Sequence, residues 1–500
     1  MKKTVLSLAL LSAVVLLTAA SCGSSGEEKQ PEAVTGNDFA AVTEETAPAH
    51  LDKLPDDLDY AGKDIRFAVW NRSEIVAQLR ADSENGEIVN DAVFARNRAV
   101  EERLNVKFAV TPLGAAECTW NDAYAVIEKN ILAGDDLYDI GCFGTANNIE
   151  GSIKHELRDL KTIPNLDLTA EYWAQGFNDT MYLGDKQFVC AGYSCMSMLR
   201  YLFVTVFNNN LGAANGVDVP IAAVNDGTWT LDYLQAITKD IYQDLNGNGK
   251  SDKEDLFGFI SGNRTTIDTF WINCETHLYG RDSDGYYTFD PSTDRYAAAV
   301  DKVLKLYYDG VGSYILPTPE DTFREPPLAN MFAEGRAMTA VIPLYSIETY
   351  LRNMRDEFTV LPMPKLDEAQ KKYYSYVQDQ FTSYMVPATV KEENTAMVGA
   401  ALECLESESY VPIFNAYYEN ALSYKYVQNE ESVKMLRLIA QSVTMEPSAV
   451  FAGTIGYIIG DMRGMVQKNT NTVASTIAAV ESQITKGAAT FKEEMLNYME

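Results

Sequence analysis

Basic residues are scarce in this sequence. Lys and Arg number 41 against 71 Asp and Glu, a formal charge of −30 over 500 residues. Neutralising a phosphate backbone needs clustered cations, so the balance excludes nucleic acid as a partner. It also excludes simple electrostatic adhesion to an anionic membrane. Histidine is scarcer still: His50, His155 and His277 stand far apart and make no zinc spacing, and His155-Glu156 lacks the second histidine of H-E-x-x-H. Gly192-Tyr193-Ser194 does not complete a G-x-S-x-G elbow, because Met196 stands at the last position. A glycosidase needs only two carboxylates, which counting cannot rule out in so acidic a chain. With every other catalytic mark missing, the chain reads as no enzyme. Cysteines are few and form no C-x-x-C pair. The six that follow Cys22 (Cys118, Cys142, Cys190, Cys195, Cys274 and Cys404) read mostly as buried free thiols, with a disulfide between some pair left open. No run is both apolar and long enough to be an ordinary membrane span.

What is present begins with a leader. Lys2 and Lys3 precede a mostly apolar stretch, Val5 to Leu17, of signal-peptide length. Ala19-Ala20-Ser21-Cys22 follows, and small residues before a cysteine resemble a bacterial lipobox. That resemblance implies cleavage after residue 21 and a lipid on Cys22. Residues 22–59 are poor in large apolar side chains and rich in Gly, Ser, Glu, Pro and Thr over most of their length, which reads as a tether. The remaining length suits two or three domains.

DIRFAVW (64–70) has strand composition. EIVNDAVFARNRAVEERL then carries Ile88, Val89, Ala92, Val93, Ala95, Val100 and Leu104 at roughly helical spacing. NVKFAV is a second strand, NDAYAVIEKNILAG a second helix and YDIGCF a third strand. This alternation predicts an α/β fold with a parallel sheet, whose ligands sit beyond the carboxyl ends of the strands, at Trp70-Asn71 and Phe143-Gly144-Thr145. KQFVCAGYS (186–194) and RYLFVTVFNN (200–209) read as strands. TWTLDYLQAITKDIYQ is an amphipathic helix capped at Thr228 or Thr230, with Trp229 in the core. LFGFI is a strand, NMFAEGRAMTAVI a helix running into a strand, and FTVLPMP a strand ended by prolines.

Between the helix and LFGFI lies DLNGNGKSDKED. It matches D-x-N-x-N-G-x₅-D, the spacing of an EF-hand loop. Asp244, Asn246, Asn248, Asp252 and Asp255 occupy the side-chain ligand positions, Lys250 offers its carbonyl, and Gly249 permits the turn. Asp255 replaces the usual Glu, which puts bidentate binding in doubt. One calcium ion in a structural role is expected, with no organic cofactor.

The lipobox and tether, the α/β start with YDIGCFG, then GDKQFVCAGYS, RYLFVTVFNNNL, the TWTLDYL helix, the DLNGNGKSDKEDLFGF loop, FAEGRAMTAVI and FTVLPMPKLDE follow one order. In that order the chain resembles the extracellular solute-binding lipoproteins of bacterial ABC importers, the carbohydrate-associated, maltose-binding-like family. The resemblance covers nearly everything after residue 60. It implies a two-lobed periplasmic-binding-protein-like (type II) α/β fold with a multi-strand hinge. Lobe one would be 60–192 with 364–412, and lobe two 193–363 with 413–500. It implies a monomer, anchored outside the cell membrane by its lipid, that captures a small solute, foremost an oligosaccharide, by hinge closure and delivers it to permease subunits. A surface receptor for a peptide or other solute feeding a sensor is the alternative. By the same resemblance the ligand contacts are Trp70, Phe143, Gly144, Tyr193, Trp271, Tyr345, Gln378, Asp379 and Gln380. Trp120 and Trp173 stay unassigned.

Overall fold

The structure is a computed structural model that describes residues 50–317, 327–377, 380–422, 430–451, 456 and 458–498. Cys22, the leader and tether up to residue 49, Gln378 and Asp379 lie outside the described residues.

Two sheets organise the described residues. The first is built from β1 (Lys63–Trp70), β2 (Val106–Leu113), β3 (Ile140–Gly144), β6 (Val189–Cys190) and β16 (Thr382–Met385), in the order β2-β1-β3-β16-β6. A two-stranded hairpin, β4 (Tyr182–Leu183) and β5 (Lys186–Gln187), precedes β6. β1 runs parallel to β2 and β3, and β16 runs antiparallel to β3 and β6. β1 alternates only at its start and is buried throughout its second half, as a strand covered on both faces must be.

The second sheet has β7 (Phe203–Asn208), β9 (Leu256–Gly262), β12 (Ser313–Leu316), β13 (Ala337–Pro343) and β14 (Phe358–Leu361) in the order β12-β9-β13-β7-β14, with β8 (Tyr242–Gln243) beside β9. A hairpin of β10 (Tyr279–Arg281) and β11 (Tyr287–Phe289) stands apart, and β15 (Ser375–Tyr376) pairs with β17 (Val443–Thr444). The material around each sheet forms a lobe.

The helices follow the sequence pattern with a correction to one buried face, and the helix read over TWTLDYLQAITKDIYQ stops at Thr238, its Tyr242–Gln243 end pairing with β9 as β8. The Ile88–Leu104 helix starts where the Glu87 carboxylate accepts the Val89 and Asn90 N–H groups, and ends at Asn105 in a left-handed conformation (φ 47°). Its buried face is not the apolar stripe alone. Arg96 and Asn97 point inward while Ile88 is 43 % exposed. Arg96 donates to the Gln78 carbonyl and the Asn97 amide oxygen, and Asn97 donates to the Leu79 carbonyl, so the inward polar groups are paired.

A second correction concerns the connections. RYLFVTVFNN holds one strand, β7, shorter than the stretch: Arg200 ends the short Met196–Arg200 helix before it and Asn209 opens a helix after it. KQFVCAGYS is broken into β5 and β6. These breaks fall where the chain leaves one sheet for the other. The return runs from β14 to β16, where Leu202 bridges Val377. A further passage joins the Glu392–Ser409 helix, which packs on Ile88–Leu104, to the Pro412–Leu422 helix, which touches Ile88–Leu104 and the Ile347–Leu351 turn of the second lobe. Cys118 is a half-buried free thiol and the other five described cysteines are buried free thiols.

Candidate functional site

Register places the candidate site. Thr382, the first residue of β16, stands opposite Gly144, the last of β3, and Ala191 leaves β6 at the same edge. In the second sheet Phe203 at the start of β7 faces Pro343 at the end of β13, and β9 ends beside it at Gly262. The connections between the sheets therefore leave from the carboxyl edges of the parallel strands. Those edges border the space between the lobes, where an α/β sheet offers loop N–H groups and helix N-termini to a ligand.

On the first lobe the edge is built around Trp120. It opens the Trp120–Leu132 helix, held by Thr119, whose hydroxyl accepts the Asp122 N–H at 3.2 Å. The indole is half-buried and stands edge-on to Trp70, ring centres 6.4 Å apart at 90°. Beneath it Gly144 ends β3 and begins the Thr145–Ile153 helix, which carries no side-chain cap. A Cβ on Gly144 would lie 3.4 Å from the Trp120 Cβ and 3.3 Å from Asn147 Oδ1. Asn147 is 5 % exposed; its Nδ2 donates to Asn121 Oδ1 at 2.9 Å, and its Oδ1 has no hydrogen-bond partner among the described residues. Asn121 is exposed. A half-buried indole, an amide pair and a helix start without a side-chain cap thus meet at one point. That combination suits a neutral, hydroxylated ring, with the indole against an apolar ring face and the amides against hydroxyls.

Trp70 is 2 % exposed. Its Nε1 donates to the Cys118 carbonyl at 2.9 Å, Trp120 covers it edge-on, and the Arg72 guanidinium lies 5.1 Å from the ring centre. Trp70 is therefore a packing residue under Trp120 rather than the exposed platform that the sequence suggests. Phe143 is fully enclosed and meets Tyr124 edge-on, so it too supports the edge from below. Trp120, which the sequence left unassigned, is the half-buried tryptophan at this edge; its position directly after the Thr119 cap, beside the end of β1, was the available signal.

On the second lobe Tyr345 follows the end of β13 and is half-buried, edge-on to Tyr201 at 6.0 Å. Burial pushes its phenol up to about 12. Arg200 pairs with Glu348 nearby, and burial raises the Glu348 carboxyl although Arg200 opposes the shift. Trp271 is wholly enclosed on the Thr265–Asn273 helix, tilted against Tyr296 at 5.8 Å, its Nε1 without a partner among the described residues. It shows no open face, which corrects its reading as a platform. Gln380 is half-buried just before β16.

The first connection is fixed by buried acid groups. Tyr193 packs edge-on to Tyr410 (5.0 Å) and Phe414 (5.9 Å), a hinge-packing role rather than a platform. Glu406 accepts the Ser194 N–H at 3.0 Å and the Ser194 hydroxyl, which is itself 2.7 Å from the Tyr384 hydroxyl. Burial pushes the Glu406 carboxyl up to about 7 against the opposing pull of Ser194 and Arg96. Glu403, bonded by Tyr172, Trp173 and the Asp167 N–H, is likewise pushed by burial to about 7.

The loop from Asp244 to Asp255 lies in the second lobe between β8 and β9. Asp244 accepts the Gly247 and Gly249 N–H groups at 2.7 and 2.9 Å, and Asn246, Asn248 and Asp252 each accept the N–H two residues on. These bonds turn alternate side chains into the loop, and hydrogen bonds from Asn248 hold the Asp252 carboxyl below its ordinary value. The Lys250 carbonyl and the oxygens of Asp244, Asn246, Asn248 and Asp252 are hard donors that fit a calcium ion. Asp255 does not fit the role assigned to it: it is fully buried, and its oxygens take the Leu245 and Asp252 N–H groups and the Tyr242 hydroxyl, each at 3.1 Å. Among the described residues no group of three or more His, Cys, Asp or Glu is gathered for a metal.

No protein-family model matches the chain, and no curated protein matches it. Solved structures do. An ABC substrate-binding protein from Listeria monocytogenes in complex with cycloalternan matches at 14% identity and TM-score 0.52, covering 85% of this chain and 98% of its own. The GacH receptor of Streptomyces glaucescens GLA.O, solved unliganded and with acarbose, matches at 14% and 0.51 over 85% and 99%. The fold is that of the ABC substrate-binding proteins. A cyclic alpha-maltosyl-1,6-maltose binding protein from Arthrobacter globiformis shares it at 13% identity and TM-score 0.55, over 85% of this chain and 98% of its own. These neighbours are binding proteins rather than enzymes. Among the described residues no helix is long and apolar enough to cross a membrane.

Proposed function

We propose that the chain is an extracytoplasmic solute-binding receptor of an ABC importer that takes an oligosaccharide between its lobes. The observation that carries the reading is the edge formed by Trp120, Asn121 and Asn147 at the end of β3, in a fold whose solved neighbours bind cycloalternan, acarbose and a cyclic maltosyl-maltose. Tyr201 and Tyr345, edge-on to each other at 6.0 Å, and the half-buried Gln380 would add contacts from the second lobe and the return connection. Ligand bridges the two edges and shifts the population towards the closed arrangement. The lobes are 60–192 with 364–412, and 193–363 with 413–500. The closed pair of lobes is what a permease would read. Cys22 carries a lipid that holds the receptor at the membrane, which mass spectrometry of the mature N-terminus tests.

The decisive experiment is a thermal-shift and calorimetry screen of the mature protein against cyclic and linear α-linked gluco-oligosaccharides, with peptides as the contrasting panel. A ligand at a hundred times its Kd stabilises the fold by about 2.7 kcal/mol. A shift with a sugar, recovered intact, supports the reading. Shifts confined to peptides would replace it with a peptide receptor.

The loop from Asp244 to Asp252 binds one calcium ion through four side chains and the Lys250 carbonyl, with Asp255 closing the loop from below. The ion would hold the β8–β9 turn and take no part in chemistry.

A further inference from the structure

The lobes touch outside the connections. Arg281, at the end of β10 in the second lobe, reaches the β4–β5 hairpin of the first. Its guanidinium carbon lies 3.5 Å from the centre of the Tyr182 ring and 4.1 Å from that of Tyr287, between the two. Nη1 donates to the carbonyls of Tyr182 (2.8 Å) and Gly285 (2.6 Å), and Nη2 to the Thr180 carbonyl and the Tyr287 hydroxyl, both at 2.9 Å. The Tyr287 hydroxyl also donates to the Thr180 carbonyl. The two hairpin turns meet backbone to backbone: Gly184 N–H donates to the Gly285 carbonyl at 3.3 Å, and a Cβ on Gly285 would lie 2.6 Å from the Gly184 carbonyl oxygen. From behind, Lys492 of the Val473–Tyr498 helix braces the β10–β11 turn through Asp282 and Asp284.

Among the described residues the four hydrogen bonds of this guanidinium all go to neutral oxygens, and two of the carbonyls belong to the other lobe. A cation spent in this way holds position. It pairs with no carboxylate among those residues.

We propose that Arg281, with Tyr182, Tyr287 and the Gly184–Gly285 contact, is a latch that holds the lobes together without ligand and so sets the receptor's apparent affinity from a distance. The proposal rests on the two-lobe closure described above. If only a fraction of the molecules is closed, apparent affinity falls in proportion to that fraction. Charge-assisted hydrogen bonds of this type are worth enough for their loss to change the closed-to-open ratio by about ten-fold or more.

The test needs no sugar, so it fails separately from the oligosaccharide reading. Spin labels at Leu132→Cys on the first lobe and Val311→Cys on the second, positions 73% and 61% exposed, report the interlobe distance by double electron-electron resonance. Arg281→Ala in the ligand-free protein should move population from the shorter to the longer distance by about ten-fold in ratio. Tyr287→Phe, which keeps the packed ring and removes one hydroxyl, should move it the same way by less. Unchanged distance distributions in both variants would mean that the junction is a pivot that stays formed as the lobes part, and would overturn the proposal. Should Arg281→Ala fail to fold, the Tyr287→Phe distribution alone decides in the same sense.

Discussion

Glu406→Gln should flatten part of the pH dependence of stability. In the fold this carboxyl titrates near 7, against 4.5 for an ordinary glutamate, because it is fully buried against the first connection. Between those values the folded protein keeps a proton that the unfolded chain has released. The stabilisation is complete below pH 4.5, is lost as pH rises through 7, and stays lost above it. At about 1.4 kcal/mol per pH unit the interval amounts to about 3 kcal/mol by pH 8. Glutamine stays neutral, can accept the Ser194 N–H and can offer its amide to the Ser194 hydroxyl, so the variant keeps the contacts and escapes the charge. Urea unfolding of both proteins from pH 5 to 8.5 gives the stability difference directly. It should grow in the variant's favour by about 3 kcal/mol across that range. A difference that stays level with pH would refute the reasoning, since it would mean that Glu406 does not change its charge there. Glu403 and Glu446, both pushed by burial to about 7, leave the variant with residual pH dependence in the same window.

Trp120→Ala should weaken sugar binding by about 30-fold or more, as removal of a central aromatic contact does, with only a modest fall in melting temperature; calorimetry and a melt on one sample check both. Asp244→Ala should abolish calcium binding by calorimetry and remove the difference between melts in calcium and in chelator, leaving far-ultraviolet circular dichroism unchanged. Asp139→Ala removes one of the two carboxylates on Arg66, whose guanidinium it holds at 2.6 and 2.9 Å just before β3, and leaves Asp136 holding the same guanidinium at 2.6 Å. That loss should cost about 1–3 kcal/mol in urea unfolding, whereas loss of an exposed pair such as Arg98–Glu102 should cost below about 1 kcal/mol.

The sheet strands were legible where composition is dense. DIRFAVW, NVKFAV and YDIGCF became β1, β2 and β3, and of the two cap candidates Thr230 is the one that opens its helix. The connections were not legible. The sequence pattern assigned nothing to residues 195–199, which the structure folds into the short, enclosed Met196–Arg200 helix. Burial of Arg96 could not be read either, since an arginine in an amphipathic pattern marks the solvent side unless distant carbonyls such as that of Gln78 are known to await it. The site was half legible for a related reason. Strand order identifies an edge, but which of two neighbouring tryptophans lies beneath and which on top depends on packing between Trp70 and Trp120.

Asp255 carries a consequence for the loop it ends. Its carboxylate already ties the Leu245 and Asp252 N–H groups and the Tyr242 hydroxyl. The chain reversal into β9 is thus complete with the protein's own atoms. An ion that enters meets oxygens already in place, so little ordering entropy opposes its binding. The second sheet can form before any ion arrives, and later loss of the ion would loosen the rim of the loop while its base holds.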